Sequence, residues 1–277
     1  MGIIIGIDVG GSTTKIVGFD DNGKIIHPLH VKANDKIASS YGAFGKFTSE
    51  NNIEIKDIEK IMITGAGSSY MKTGFFGIET QHVGEFDCIG LGGLYLSGFS
   101  DAVIVSMGTG TAIVHAKKNG IIQYMGGTGV GGGTLIGLSK KMLGVSHVNN
   151  IVELAESGNL DNIDLRIGDI SPKDIISALP SQMTASNFGN VSDVATKSDI
   201  AKGIMNLIFE SIGMLSVFAA RSCGLRDIVL TGNLTTVPYT KERFDVLNSM
   251  FNMNFVIPKS SQYATVIGAA LMNDKKK

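Results

Sequence analysis

Apolar positions along the chain fall into short strand-like runs, and two stretches repeat one plan. Residues 3–27 read IIIGIDVGGSTTKIVGFDDNGKIIH, and residues 102–124 read AVIVSMGTGTAIVHAKKNGIIQY. Each is an apolar strand, a short turn of Gly, Ser and Thr, a second apolar strand, an Asn-Gly turn and a third strand. Asn22-Gly23 and Asn119-Gly120 predict tight primed hairpin turns, because both residues tolerate positive φ. The repeat continues in KIMITGAG (60–67) and DIVLTGN (227–233), each an apolar strand ending in Thr-Gly after a helix-like stretch. Strands alternating with helices predict an α/β fold of mixed sheets covered by helices, with ligands held beyond the strand ends. The halves are expected at 1–117 and 118–277, with a cleft between them.

The second half is longer because it carries a helical insertion, about residues 135–220. Within it, IVELAES (151–157) and residues 200–220 have helical apolar spacing. The latter is more apolar than a surface helix needs, so it is expected to fill a core or a subunit interface. A last helix from Tyr263 to Met272 is expected to pack back toward the first half, ahead of a solvated tail at 273–277.

Composition narrows the function classes. At 277 residues and 43% hydrophobic, the chain can bury a substantial core. Lys plus Arg number 24 against 25 Asp plus Glu, so nothing points to nucleic acid as a partner. No apolar run reads as long enough to span a bilayer, and the start lacks a basic leader, so no membrane association is expected. Met1-Gly2 could suggest myristoylation, but Ile3 to Ile7 read as a buried strand. Cys88 and Cys223 are far apart and form no metal or redox motif, which fits a reduced cytoplasmic setting. His27 and His30 read as a surface strand rather than a metal site, His82, His115 and His147 are scattered, and the twelve methionines read as core filler.

The turns carry the candidate chemistry. Gly10-Gly11-Ser12-Thr13 and Gly108-Thr109-Gly110-Thr111 lack bulky side chains, so backbone N–H groups can approach an anion while hydroxyls add donors. Two such turns in related halves imply a polyphosphate clamped between them. Asp8, before the first turn, would sit near a bound phosphate, an arrangement that makes sense with Mg²⁺ between them; Lys15, beyond the turn, could neutralise phosphate charge. A third cluster, residues 126–134 (GGTGVGGGT), precedes a helix and is expected to form an anion site at the positive end of its dipole. Phosphoryl transfer to a hydroxyl needs a base. Glu85 in HVGEFDCIG heads a segment of small and apolar residues and is the leading candidate; Asp87 competes with it, or caps that helix.

Together these residues resemble the type II pantothenate kinases, within the superfamily of acetate kinase, sugar kinases, Hsp70 and actin. The resemblance runs nearly end to end through IDVGGSTTK, EFD (85–87), MGTGT (107–111), GGTGVGGGT, TASNFGNV (184–191) and IGAAL near the end. It implies two duplicated ribonuclease H-like halves, and phosphorylation of the terminal hydroxyl of pantothenate with ATP and Mg²⁺, the opening step of coenzyme A synthesis. It implies Glu85 as catalytic base, and Asp8, Gly10, Gly11, Ser12, Thr13, Thr14 and Lys15 at the ATP phosphates. It further implies Gly108, Thr109, Gly110, Gly131, Gly132, Gly133, Thr134 and Ala264 along the nucleotide, with Thr109, Tyr124 and Gly127 at the substrate and Asp8 as Mg²⁺ anchor. A homodimer with the long apolar helices at its interface is also implied.

The chain departs from that family at one point. Relatives carry an Arg before the Gly cluster that pairs with the pantothenate carboxylate, and this chain has Tyr124-Met125 there. Arg offers a charge-assisted fork and Tyr one neutral hydrogen bond, so Arg166 or Arg221 would have to substitute, or the substrate differs. Two other readings stay open: a superfamily kinase acting on another small hydroxyl compound such as an amino sugar, and a nucleotide-driven switch. Sugar kinases of the ROK type carry a zinc-binding Cys cluster and radical-dehydratase activators need Cys ligands for an iron–sulfur cluster, contexts that Cys88 and Cys223 lack.

Overall fold

The computed structural model describes residues 2–32, 35–71, 74–171 and 180–273. The first sheet combines β1 (Ile3–Val9), β2 (Thr13–Phe19), β3 (Ile25–Lys32), β4 (Ile58–Thr64) and β5 (Thr80–His82), with α1 (Lys36–Glu50) before β4 and α2 (Glu85–Ser97) after β5. The second holds β6 (Asp101–Met107), β7 (Thr111–Lys117) and β8 (Ile122–Thr128). After them come α3 (Gly132–Leu143), α4 (Val148–Glu156), β9 (Leu165–Arg166), α5 (Ile167–Ile170), β10 (Thr184–Ser186) and α6 (Lys197–Ser222). The chain then returns to the second sheet through β11 (Asp227–Thr231), α7 (Pro238–Phe251) and β12 (Asn254–Val256), and ends in α8 (Ala264–Leu271).

The strand orders are β3-β2-β1-β4-β5 and β12-β11-β6-β7-β8. In each sheet three antiparallel strands are followed by two parallel ones, so the duplication read from the sequence extends to pairing. The inner strands β4 and β11 carry fully buried apolar runs, Ile61 to Ile63 and Ile228 to Leu230, as strands covered on both faces must. Pro28 sits in β3 at a sheet edge, where a missing N–H is tolerated. The change of sheet falls between α2 and β6, at residues 98–100, ahead of the expected 117/118 boundary. The second strand-turn-strand unit opens the second sheet rather than closing the first.

The Asn-Gly turns form with one difference from expectation. Gly23 and Gly120 take positive φ (72° and 94°), whereas Asn22 and Asn119 do not. Side-chain acceptors shape the loops instead: Asp20 Oδ1 accepts from the Asn22 and Lys24 amides, and Asn119 Oδ1 from Ile121 N.

Each sheet is covered on both faces. Phe44 and Phe47 of α1 pack on Ile5, Ile7 and Ile63, and α6 packs Ile204, Ile208 and Ile212 against Val103, Val105 and Leu230. The other faces are covered by exchange: α2 lays Ile89 and Leu94 on the second sheet, and α8, as expected, lays Val266, Ile267 and Ala270 on the first. The two helices cross between the lobes at Gly92 and Gly268, where a Cβ would collide with the carbonyls of Ala264 and Cys88. α6 is the one helix among the described residues long and apolar enough to cross a membrane, against the sequence reading, but 61% of its most apolar window is buried inside this fold. Its start is fixed by Asp199, whose carboxylate accepts from the amides of Asn159 (2.7 Å) and Thr196 (2.8 Å), which holds it down to about 2.

Candidate functional site

The cleft between the sheets has a volume of about 660 Å³ and is lined by strand ends from both halves. From the first come Asp8, the turn Gly10 to Thr13, Lys15, Ala66 and Glu85; from the second, Ser106, the turn Gly108 to Thr111, Tyr124, Gly127, Thr128 and Asn233. The two Gly turns meet at its floor: a Cβ on Gly11 would stand 3.0 Å from Thr109 Oγ1. Asn233 Nδ2 donates to Thr13 Oγ1 (3.4 Å) across the same gap.

Asp8 and Lys15 face each other across the β1–β2 ladder. Lys15 donates to the Gln262 carbonyl (2.6 Å) and is 7% exposed. Burial pushes the Asp8 carboxyl above the ordinary carboxylate range, opposed by the Lys15 charge, and pushes the Lys15 ammonium down, opposed by Asp8. Glu85 is the first residue of α2 after Gly84. It keeps an open face toward the cleft, yet the protein around its carboxylate, and then the Asp8 charge, raise its pKa. A carboxylate raised in this way is suited to accept a proton near neutral pH. Asp87 does not line the cleft and lies against Gly84 at the helix start, where negative charge complements the dipole. Cys88 is a buried thiol pushed up to about 12, a packing residue at the α2–α8 crossing.

Several expected positions lie elsewhere. Thr14 points into the core with Oγ1 unpartnered, because strand alternation sends Thr13 and Lys15 to the cleft and the residue between them away from it. At the start of α3, where an anion site is expected, the three glycine amides already have partners within the chain. Gly132 N donates to Gly108 O (2.9 Å) and Gly133 N to Thr109 O (2.8 Å). Gly131 N donates to Thr134 Oγ1 (3.2 Å), which itself donates to Gly129 O. Gly131 to Thr134 therefore buttress the second Gly turn from behind. Ala264 is buried against α2, and Thr265 takes the place at the cleft. TASNFGNV also lies away from the cleft: Thr184 and Asn187 donate to Glu210, and Phe188 N to Asp164, which anchors the insertion to α6. Arg166 pairs with Asp161 and Arg221 stands over Phe251, so neither substitutes for the missing Arg.

Sequence reasoning missed Lys36, Ser106, Asn233 and Thr265. Lys36 Nζ donates to the carbonyls of Gly10 (2.9 Å) and Gly11, clamping the first turn from outside. Asn233 was signalled by the Thr-Gly repeat: Gly65 and Gly232 share one backbone conformation (φ 89° and 90°), and each hands the next residue to the cleft.

Two lobes of one topology closing on a cleft of this kind define an actin-like ATPase fold. The activator of 2-hydroxyisocaproyl-CoA dehydratase from Clostridium difficile, solved with bound ADPNP, shares that fold at a TM-score of 0.67 and 16% identity, over 99% of this chain and 98% of that one. Residues 99–254 match the Fumble family model. A type II pantothenate kinase of Bacillus cereus (strain G9842) is 30% identical over 247 residues, 83% of each chain. Another, from Oceanobacillus iheyensis, is 29% identical over 280 residues, 96% of this chain and 98% of its own. The chain belongs to the Fumble family, that of the type II pantothenate kinases.

Proposed function

We propose that this kinase transfers the γ-phosphoryl group of ATP to the terminal hydroxyl of pantothenate, the opening step of coenzyme A synthesis. Family membership supports the reaction class, and one observation carries the mechanism: a raised carboxylate, Glu85, opens into the same cleft as the two Gly turns. Backbone amides and hydroxyls of Gly10 to Thr13 and Gly108 to Thr111 hold the phosphate chain, with Thr109 facing both it and the acceptor. Lys15 balances charge from below, and Lys36 keeps the first turn in shape. Glu85 orients the acceptor hydroxyl and takes its proton as the oxygen attacks phosphorus.

The donors at hand fit Mg²⁺, which uses one or two carboxylates plus phosphate oxygens. Asp8 would hold the ion, directly or through water, and the cation would neutralise charge on the phosphate oxygens. Closing the lobes around the α2–α8 crossing would exclude water, so that the hydroxyl competes with no solvent nucleophile. The free cysteines suit a cytoplasmic enzyme, and Leu215 and Phe218, exposed on α6, suit a second copy of the chain at that helix. Incubation with MgATP and pantothenate tests the reaction: mass spectrometry should find one phosphoryl group added to pantothenate. ATP hydrolysis with no phosphorylated pantothenate would overturn it.

A further inference from the structure

The segment Ser260 to Tyr263 ties the two lobes together beside the cleft. Ser261 faces the second lobe: its carbonyl accepts from Gly232 N (3.1 Å), and its hydroxyl lies 2.7 Å from Thr235 Oγ1. The Thr235 proton goes to the Gly232 carbonyl (2.7 Å), so Ser261 is the donor of that pair. The next two residues face the first lobe. The Gln262 carbonyl accepts from Lys15 Nζ (2.6 Å), and the Tyr263 hydroxyl shares a hydrogen bond with His30 Nδ1 (3.1 Å). Ser260 enters this turn at a φ of 63°, a conformation that persists where outside contacts hold it.

His30 is joined to the cleft by strand register. β1 pairs Asp8 with Lys15, and β2 pairs Lys15 with His30, so the three side chains form one row on one face of the first sheet. Asp8 and Lys15 line the cleft, and His30, which is exposed, ends the row outside it. Tyr263 therefore grips the outer end of the row, while the carbonyl one residue earlier holds its middle. The turn also lies between two cleft residues: Asn233, which follows Gly232, and Thr265, two beyond Tyr263. Lys15 is buried, and the 262 carbonyl sets where its ammonium stands relative to Asp8. A buried ammonium without that carbonyl would turn to the Asp8 carboxylate, whose charge already acts on it, and compete there with Mg²⁺.

We propose that His30 and Tyr263 are positioning residues for nucleotide binding: their hydrogen bond fixes the Ser261–Tyr263 turn, whose 262 carbonyl keeps Lys15 in place and Asp8 free for the metal. This rests on the kinase reading above and adds to it two residues outside the cleft. Tyr263→Phe and His30→Ala each remove that one hydrogen bond, so each should weaken MgATP binding about three- to tenfold by calorimetry. The double variant should bind no more weakly than the poorer single one, because both act through the same contact. His30→Asn, which keeps an amide near the place of Nδ1, should restore most of the affinity. At saturating MgATP, kcat should stay within about twofold, as expected of a contact that serves ground and transition states alike. His27→Ala, exposed on the same edge strand, should bind MgATP as the native protein does and controls for loosening of β3. Unchanged affinity in Tyr263→Phe and His30→Ala overturns the proposal, as do fully additive losses or an equal loss in His27→Ala. Calorimetry needs no acceptor, so a failure of the pantothenate reading leaves this test intact. A native protein that binds no MgATP would overturn the kinase reading itself, and the positioning roles with it.

Discussion

In the first hairpin Asp8 stands opposite Lys15, one pair out from Val9 and Thr14; in the second, the pair one out from Met107 and Thr111 is Ser106 opposite Ala112. The strand order, the Gly turn and the Thr-Gly step with its positive-φ glycine are common to both halves. The charges are not. Asp8, Lys15 and Glu85 belong to the first half, and the second contributes Ser106, Thr109, Thr111, Thr128 and backbone groups. One scaffold thus supplies a charged wall, proposed to hold a cation and move a proton, and a neutral wall of hydrogen-bonding groups. Duplication set the geometry of the cleft; substitution at matched positions divided the chemistry.

Substitutions on the two walls should therefore differ in size. Glu85→Gln keeps the shape and removes the proposed base, so kcat should fall by about 10³-fold with ATP binding nearly intact, as expected for a positioned general base. A variant that keeps a tenth of native kcat would remove Glu85 from that role. Asp8→Asn should reduce kcat/KM by roughly 100-fold and weaken the response to Mg²⁺, through loss of a carboxylate anchor. An unchanged Mg²⁺ titration would contradict the assignment. Lys36→Met should raise KM for ATP by about tenfold with little change in kcat, because a positioning contact to the phosphate turn serves ground and transition states alike. Ser106→Ala, the matched change on the neutral wall, should alter kcat/KM by no more than about threefold, the loss of one neutral hydrogen bond. If Ser106→Ala matched Asp8→Asn in effect, the division of labour between the halves would be wrong.

The pH dependence sharpens the same contrast. Burial and the Asp8 charge raise Glu85, so its deprotonated, active form is lost as pH falls through a value above the ordinary carboxylate range. The acid limb of kcat/KM should therefore lie above that range. Asp8→Asn removes the like charge and should move the limb to lower pH, while Ser106→Ala should leave it in place. The same sign applies to stability: burying the charged form of Glu85 opposes folding above its unfolded pKa. Glu85→Gln should accordingly raise Tm slightly at neutral pH, a gain that fades in acid.

Much of this was legible in the sequence where the signal is local. Period-two apolar runs and turn residues marked the repeated hairpins, and Asp8, the two Gly turns, Glu85, Tyr124 and Gly127 all fall on the cleft. What was not legible depends on partners distant in the chain. The segment Asp8 to Lys15 reads as one motif, yet strand alternation turns Thr14 into the core. The glycines at 131–133 look like free donors until the carbonyls of Gly108 and Thr109 are seen to take two of their amides. That α2 covers the second sheet and α8 the first follows from a crossing at Gly92 and Gly268, residues 176 apart in the numbering, which no periodicity encodes. Lys36 had no signal at all, since a lysine opening a helix reads as a solvated residue until its ammonium is found on the turn.

The most direct test of this account is ADP release from MgATP with and without pantothenate, in the native protein and in Glu85→Gln. Release that depends on the acceptor in the native protein and disappears in the variant is the predicted result. Release that is indifferent to pantothenate, or that persists in Glu85→Gln, would contradict a kinase whose base is Glu85.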